Sequence, residues 1–156
     1  MLEEVKIACF AASYMVALVL EISRLLFRSG VRGVVMVAFA GAGLVAHTAY
    51  LYHRAIRSPG SPLSSEQDWY LIAAWVLVCV YLLLVYYHPH AGFGLFLLPL
   101  VLGLIGVAWF FADQEPFPRG AASRVWGGIH GSSILLAVVS VLIGFAAGLM
   151  YLEQAR

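Results

Sequence analysis

The chain has 156 residues, of which 63% are hydrophobic and only 11% are charged, and its formal net charge is +1. Soluble domains carry about 25% charged residues, so this composition leaves too little polar surface to cover a globular fold in water. A nearly neutral chain without a dense basic cluster also excludes nucleic acid as an expected partner. The sequence therefore predicts an integral membrane protein surrounded by lipid.

Apolar stretches follow one another along the chain, each near the length of about 20 residues that crosses the hydrocarbon of a bilayer. The first stretch has neither a positively charged start nor an A-x-A-like site at its end, so we interpret it as a retained helix rather than a signal peptide. We predict a single all-α transmembrane domain over residues 1–156. Its bundle of about five transmembrane helices would cover residues 5–27, 33–53, 69–87, 92–112 and 126–152.

Four short breaks separate these stretches. Arg28–Arg32 is a basic turn, and Arg57–Glu66 is rich in Pro, Gly and Ser. His88–Gly92 predicts a tight turn, and Asp113–Gly120 predicts another loop. None is long enough for a soluble domain, so any chemistry is expected within the helices or at their ends.

Orientation follows from the distribution of arginine in the short loops. Arg24, Arg28 and Arg32 are concentrated at the first turn between helices, whereas the other basic residues are spread over several loops. We therefore predict that this turn is inside, with the N-terminus outside and the C-terminus inside. His47 and His130 would then both lie towards the outer face.

His47 lies within the second predicted helix, with Gly43 four residues before it on the same side. A small residue beside a histidine leaves room either for a flat macrocycle or for a close neighbouring helix. Neutral imidazole is a good ligand for haem iron. The residues leave two interpretations open: an axial haem ligand, or a buried histidine bonded to another helix.

His130 lies near the start of the last helix, with Trp126 one turn before it. An ionisable ring at the mouth of a membrane helix is costly and calls for a functional reason, whereas Trp126 also suits the aromatic belt at a membrane interface. Small residues at fourfold spacing predict a close-packing stripe along this helix, formed by Gly127, Gly131, Ser140, Gly144 and Gly148.

The other polar residues and the cysteines give weaker indications of a functional site than His47 and His130. Glu21 is followed by Arg24 three residues later and by Arg28 seven residues later, a spacing that predicts an ion-paired inner end of this helix. His88 and His90 flank a proline, and two ligands without a third make a poor metal site, so we interpret them as a solvated turn. Cys9 and Cys79 lie in separate apolar stretches, where small packing residues are common. The sequence contains no catalytic constellation.

Several segments together carry a family resemblance. Gly43–Leu51 contains His47, Pro62–Trp75 leads into the third helix, Gly92–Pro99 opens the fourth, and Ile129–Gln154 forms most of the last. Over nearly the whole chain, these segments resemble the N-terminal half of the cytochrome c assembly protein family, particularly its HemX-like and CcsA-type members.

The resemblance implies a site. In that family the histidine that matches His130 is an external axial ligand to haem on its way to apocytochrome c. It thus implies that His130 binds the iron of a haem, expected to be haem b, with His47 or a partner's histidine opposite and Trp126 over the macrocycle. Family members continue into further helices with a second external histidine, so His130 is expected to be half of a site.

The resulting expectation is a haem-binding membrane component of cytochrome c biogenesis in a bacterial inner membrane. It would present or translocate haem for attachment to apocytochrome c together with a second assembly subunit, by handling and delivery rather than catalysis. One alternative is a structural or regulatory membrane subunit without haem. Another is a small quinone-linked cytochrome b, which normally requires two facing histidine pairs.

Overall fold

The computed structural model describes residues 7–26, 30–57, 65–88, 92–115 and 121–154. These residues contain no β-strand and form five α-helices, which confirms the predicted all-α fold. The helices are α1 (Ile7–Leu26), α2 (Gly30–Arg57), α3 (Glu66–Tyr87), α4 (Gly94–Phe110) and α5 (Ala121–Gln154).

Four helices, α1, α2, α3 and α5, are long and apolar enough to cross a membrane. The fourth helix, α4, has 17 residues. At 1.5 Å per residue it is about 25 Å long, which is shorter than the roughly 30 Å of bilayer hydrocarbon. The lengths and compositions are those of an integral membrane protein in which one helix is shorter than the rest.

Three helices begin or end outside the predicted bounds. α2 extends from Gly30 to Arg57 because membrane helices satisfy their own backbone groups and long basic side chains keep their charges in the interface. α5 begins at Ala121, ahead of its apolar stretch. α3 begins at Glu66 because Ser65 caps it: the Ser65 hydroxyl accepts from the Asp68 N–H, and the Asp68 carboxylate accepts from the Ser65 N–H.

The core of the bundle is formed mainly by α1 to α4. α1 packs against α2 and α4, and α3 packs against the same two helices. α5 packs mainly against α3 and α4. Among its described residues, just Val139 and Ala146 are buried. The largest fully buried side chains all come from the first four helices, and include Phe10, Tyr14, Met36, Leu71, Leu77, Tyr81, Leu98 and Ile105.

The bundle has two ends that differ in their polar contacts. At the Asp68 end, where α2 and α4 finish and α3 begins, Arg54 forms an ion pair with Asp68. At the Glu21 end, where α1 and α3 finish and α4 begins, Glu21 forms an ion pair with Arg24. The sequence places the Asp68 end outside, and this orientation stays a prediction.

Candidate functional site

His47 lies inside the bundle and has no exposed surface. Its Nδ1 is 3.3 Å from Tyr14 Oη, and its ring stacks on Phe10 with centroids 4.1 Å apart and planes only 3° from parallel. Its Nε2 is also buried and has no hydrogen-bond partner within the part of the chain that the structure describes. One ring nitrogen is therefore bonded to α1, and the other is unpartnered.

The glycine beside His47 accommodates a neighbouring helix. A Cβ at Gly43 would lie 2.6 Å from Tyr14 Cε1 and 3.1 Å from Ser13 Cβ, so the α1 side chains fill the space above this residue. Of the two uses that the sequence left open for this space, the structure shows the close helix. Gly43 therefore lets Tyr14 reach His47.

The surroundings of His47 do not fit a haem in this arrangement. Its donor chemistry is suitable, because Nδ1–H donation to the Tyr14 oxygen would leave a lone pair on Nε2, as in many histidine ligands. The space is not suitable, since Phe10 covers one face of the ring and Nε2 is enclosed. A macrocycle would reach Nε2 only if α1 and α2 moved apart.

His130 has the opposite environment. It lies near the start of the membrane-spanning part of α5, Trp126–Glu153, and its side chain is exposed. Trp126, one turn earlier, is 74% exposed. A continuous set of exposed residues follows the same side of the helix, and we call it the open face of α5: Trp126, His130, Ser133, Ala137, Ser140, Gly144 and Gly148.

The open face of α5 fits a flat group at His130. Ser133 and Ala137 lie one and two turns beyond the imidazole, and their small side chains leave a shallow surface on one side of it. Ile134, which is 50% exposed, lies four residues beyond His130 on the other side. The ring nitrogens are accessible from outside the bundle because His130 faces away from α3 and α4. The arrangement provides one exposed imidazole on the open face of α5.

The small residues of α5 do not form the single stripe that the sequence predicted. A Cβ at Gly131 would lie 2.5 Å from Trp69 Cζ2, so this glycine packs against α3. Gly144 and Gly148 have nothing within 4 Å of such a Cβ. The prediction was wrong because nine residues separate Gly131 from Ser140, and at about 100° per residue this places them on opposite sides of the helix.

The two histidines are not brought together. α3 contacts both α2 and α5: Trp75 Nε1 donates to Thr48 Oγ1 at 2.8 Å on one side, and Trp69 packs on Gly131 on the other. His47 faces α1, whereas His130 faces away from the bundle. They do not form the two sides of one haem site in this structure.

A polar cluster at the Asp68 end was not found from the sequence. The Arg54 guanidinium donates to both Asp68 and Ser65, which ties the end of α2 to the start of α3. Gln67 Nε2 donates to the Ala108 carbonyl oxygen at 3.0 Å, which adds the end of α4. The Ser65-x-x-Asp68 capping pattern was the local sequence feature that could have indicated this cluster. No sequence pattern indicated that Arg54 on α2 would be its partner.

At the Glu21 end, the predicted pair of Glu21 with Arg24 is confirmed, with Nη1 and Oε2 3.3 Å apart. Arg28 lies outside the described residues. Near this end His88 is exposed and follows the last residue of α3, while His90 is also outside the described residues. Within the described ranges, no three residues of the types that bind metals are grouped so as to hold an ion.

Comparison of the chain with protein-family models, with curated proteins and with solved structures found no match.

Proposed function

We propose that this chain is a haem-binding integral membrane component of cytochrome c biogenesis that presents haem on the open face of α5. The observation that supports this most is the position of His130. It is an exposed imidazole on a membrane-spanning helix, directed away from the bundle and flanked on one side by the small side chains of Ser133 and Ala137. The resemblance of the chain to the cytochrome c assembly family favours the same residue.

His130 would hold the iron through one ring nitrogen, and Trp126 would lie beside the macrocycle. Bound haem, expected to be haem b, would supply a reactive vinyl-bearing macrocycle for attachment to apocytochrome c. The residues of this chain bind and orient it, and they perform no chemical step on it. A second assembly subunit would supply the other ligand to the iron. The proposed location of both proteins is a bacterial inner membrane.

The position of His130 also favours delivery over storage. A ligand at the exposed side of the bundle leaves the cofactor accessible to another protein without rearrangement of α1 to α4. An interior ligand such as His47 would require the tightly packed α1 and α2 to separate at each transfer. His130 is therefore the primary proposed ligand, and haem binding by His47 stays a prediction that needs such a separation.

A structural or regulatory membrane subunit without haem is the second candidate. The burial of His47 between Phe10 and Tyr14 favours it, because this histidine has a packing role in the bundle. In that case, replacement of His130 would change neither colour nor function.

An absorption spectrum distinguishes the haem-binding function from the structural one. It is recorded on protein that is purified in mild detergent from cells with ample haem. We expect a Soret band in the wild-type protein and its loss in His130→Ala. His88→Ala is the matched control, since His88 is also exposed but lies at the other end of the bundle, and it should keep the wild-type band per mole of folded protein. A colourless wild-type preparation, or a His130→Ala variant with an unchanged spectrum, would contradict the proposal.

A further inference from the structure

Glu21 is a buried acidic residue in a membrane-spanning helix. Its side chain is only 2% exposed, while that of its partner Arg24 is 25% exposed. Ionisable groups within membrane segments are costly and are usually paired and functional. The Glu21–Arg24 pair has no net charge, so it is a polar but electrically neutral group inside the bundle.

The start of α4 lies directly against this carboxyl group. A Cβ at Gly94 would be 2.9 Å from Glu21 Cγ and 3.0 Å from Glu21 Cδ. Phe93, the residue before it, provides no side-chain cap for α4. The Glu21 carboxylate therefore lies against the uncapped start of α4, and its bond to Arg24 uses only part of its capacity to accept hydrogen bonds.

Tyr81 completes the junction from α3. Its Cε2 is 3.0 Å from the same Cβ position at Gly94, so the ring edge and the Glu21 carboxyl carbon are separated by no more than twice that distance. Tyr81 has no exposed surface, and its Oη has no hydrogen-bond partner among the described residues.

An unpartnered phenol hydroxyl is unusual at full burial, because most buried polar atoms are hydrogen-bonded to protein or ordered water. Tyr14 provides the comparison within the same bundle. It is equally buried, yet its Oη is hydrogen-bonded to His47 Nδ1. Tyr81 thus differs from Tyr14 in its missing partner and not in its burial.

We propose that Tyr81 Oη and the Glu21 carboxylate bind one internal water molecule where α1, α3 and α4 meet. Water fits because it accepts from the phenol and donates to the carboxylate, and internal waters typically have two to four polar partners. A cation would be repelled by Arg24, and an anion by Glu21. The water would link α3 to the α1–α4 contact at the Glu21 end.

Hydroxyl-radical labelling by pulsed X-ray radiolysis of the intact protein in detergent tests this directly, because radiolysis forms radicals from water bound inside a protein as well as from bulk water. We expect Tyr81 to be labelled several-fold faster than Tyr14, although neither has exposed surface. Equal and low labelling of the two tyrosines would overturn the proposal.

Thermal unfolding of two matched variants provides an independent measurement. Tyr14→Phe removes a hydroxyl that has a protein partner, and its melting temperature should fall. If water bridges Tyr81 to Glu21, Tyr81→Phe should also melt at a lower temperature than the wild-type protein, since a used hydrogen-bonding group is lost. A Tyr81→Phe variant that melts at or above the wild-type temperature would show that its hydroxyl is unused, and would overturn the water site.

Discussion

Replacement of Gly43 by alanine should loosen the contact between α1 and α2. The new Cβ would be 2.6 Å from Tyr14 Cε1 and 2.9 Å from Cδ1, closer than side chains pack. The Tyr14 ring has little freedom to yield, because its hydroxyl is bonded to His47 and it lies beside Phe10. Overpacking of this kind costs about 1–3 kcal/mol.

Gly41→Ala is the matched control for this variant. It lies on the same helix, and nothing is within 4 Å of a Cβ at this position. Both variants gain the helix propensity of alanine over glycine, about 0.8–1.0 kcal/mol in soluble helices, so that gain cancels in their comparison. We therefore expect Gly43→Ala to be less stable than Gly41→Ala by about 1–3 kcal/mol of unfolding free energy.

Reversible unfolding in mixed detergent, followed by circular dichroism, measures this difference. When both variants carry Tyr14→Phe, the ring is no longer held by His47 and can yield more easily, so the difference in unfolding free energy should become smaller. If Gly43→Ala were as stable as Gly41→Ala, α1 and α2 would not be as close as the structure has them, and the enclosure of His47 would no longer follow.

Two further changes test the outer contacts of α3. Gly131→Ala should weaken the docking of α5, because its Cβ would be 2.5 Å from the Trp69 ring; limited proteolysis should then cleave α5 faster than in Gly128→Ala, where nothing is within 4 Å of the Cβ. Asp68→Ala removes both an ion pair and a helix cap and should lower the unfolding free energy by about 1–3 kcal/mol. Glu66→Ala, an exposed acidic residue of the same turn, should leave the melting temperature nearly unchanged, and similar losses in both would contradict the proposed role of the Asp68 contacts.

The number and order of the helices could be predicted because apolar length is a local property of a membrane sequence. The Glu21–Arg24 pair was predictable for the same reason, since its members are three residues apart. The starting point of α3 was also encoded locally, in the Ser65-x-x-Asp68 pattern. These features depend on neighbours in sequence and on nothing else.

The direction in which each side chain points was much harder to predict from the sequence than the number and order of the helices. α3 and α4 are apolar on all sides, so their periodicity does not indicate which side meets a neighbour. The partners of His47 and Gln67 are 33 and 41 residues away, and choosing them requires the arrangement of the helices. The sequence could therefore indicate that His47 was unusual, but not that Tyr14 would enclose it.

The weak attachment of α5 affects the order in which the molecule opens. Among the α5 residues whose burial the structure describes, Val139 and Ala146 alone are buried, whereas α1 to α4 share a common core. Segments with few buried contacts open with less free energy than the whole fold. Amide hydrogens of α5 should thus exchange through a partial opening in which α5 leaves the bundle and α1 to α4 stay folded. The protein would then behave as a stable four-helix unit with a fifth helix that is released separately.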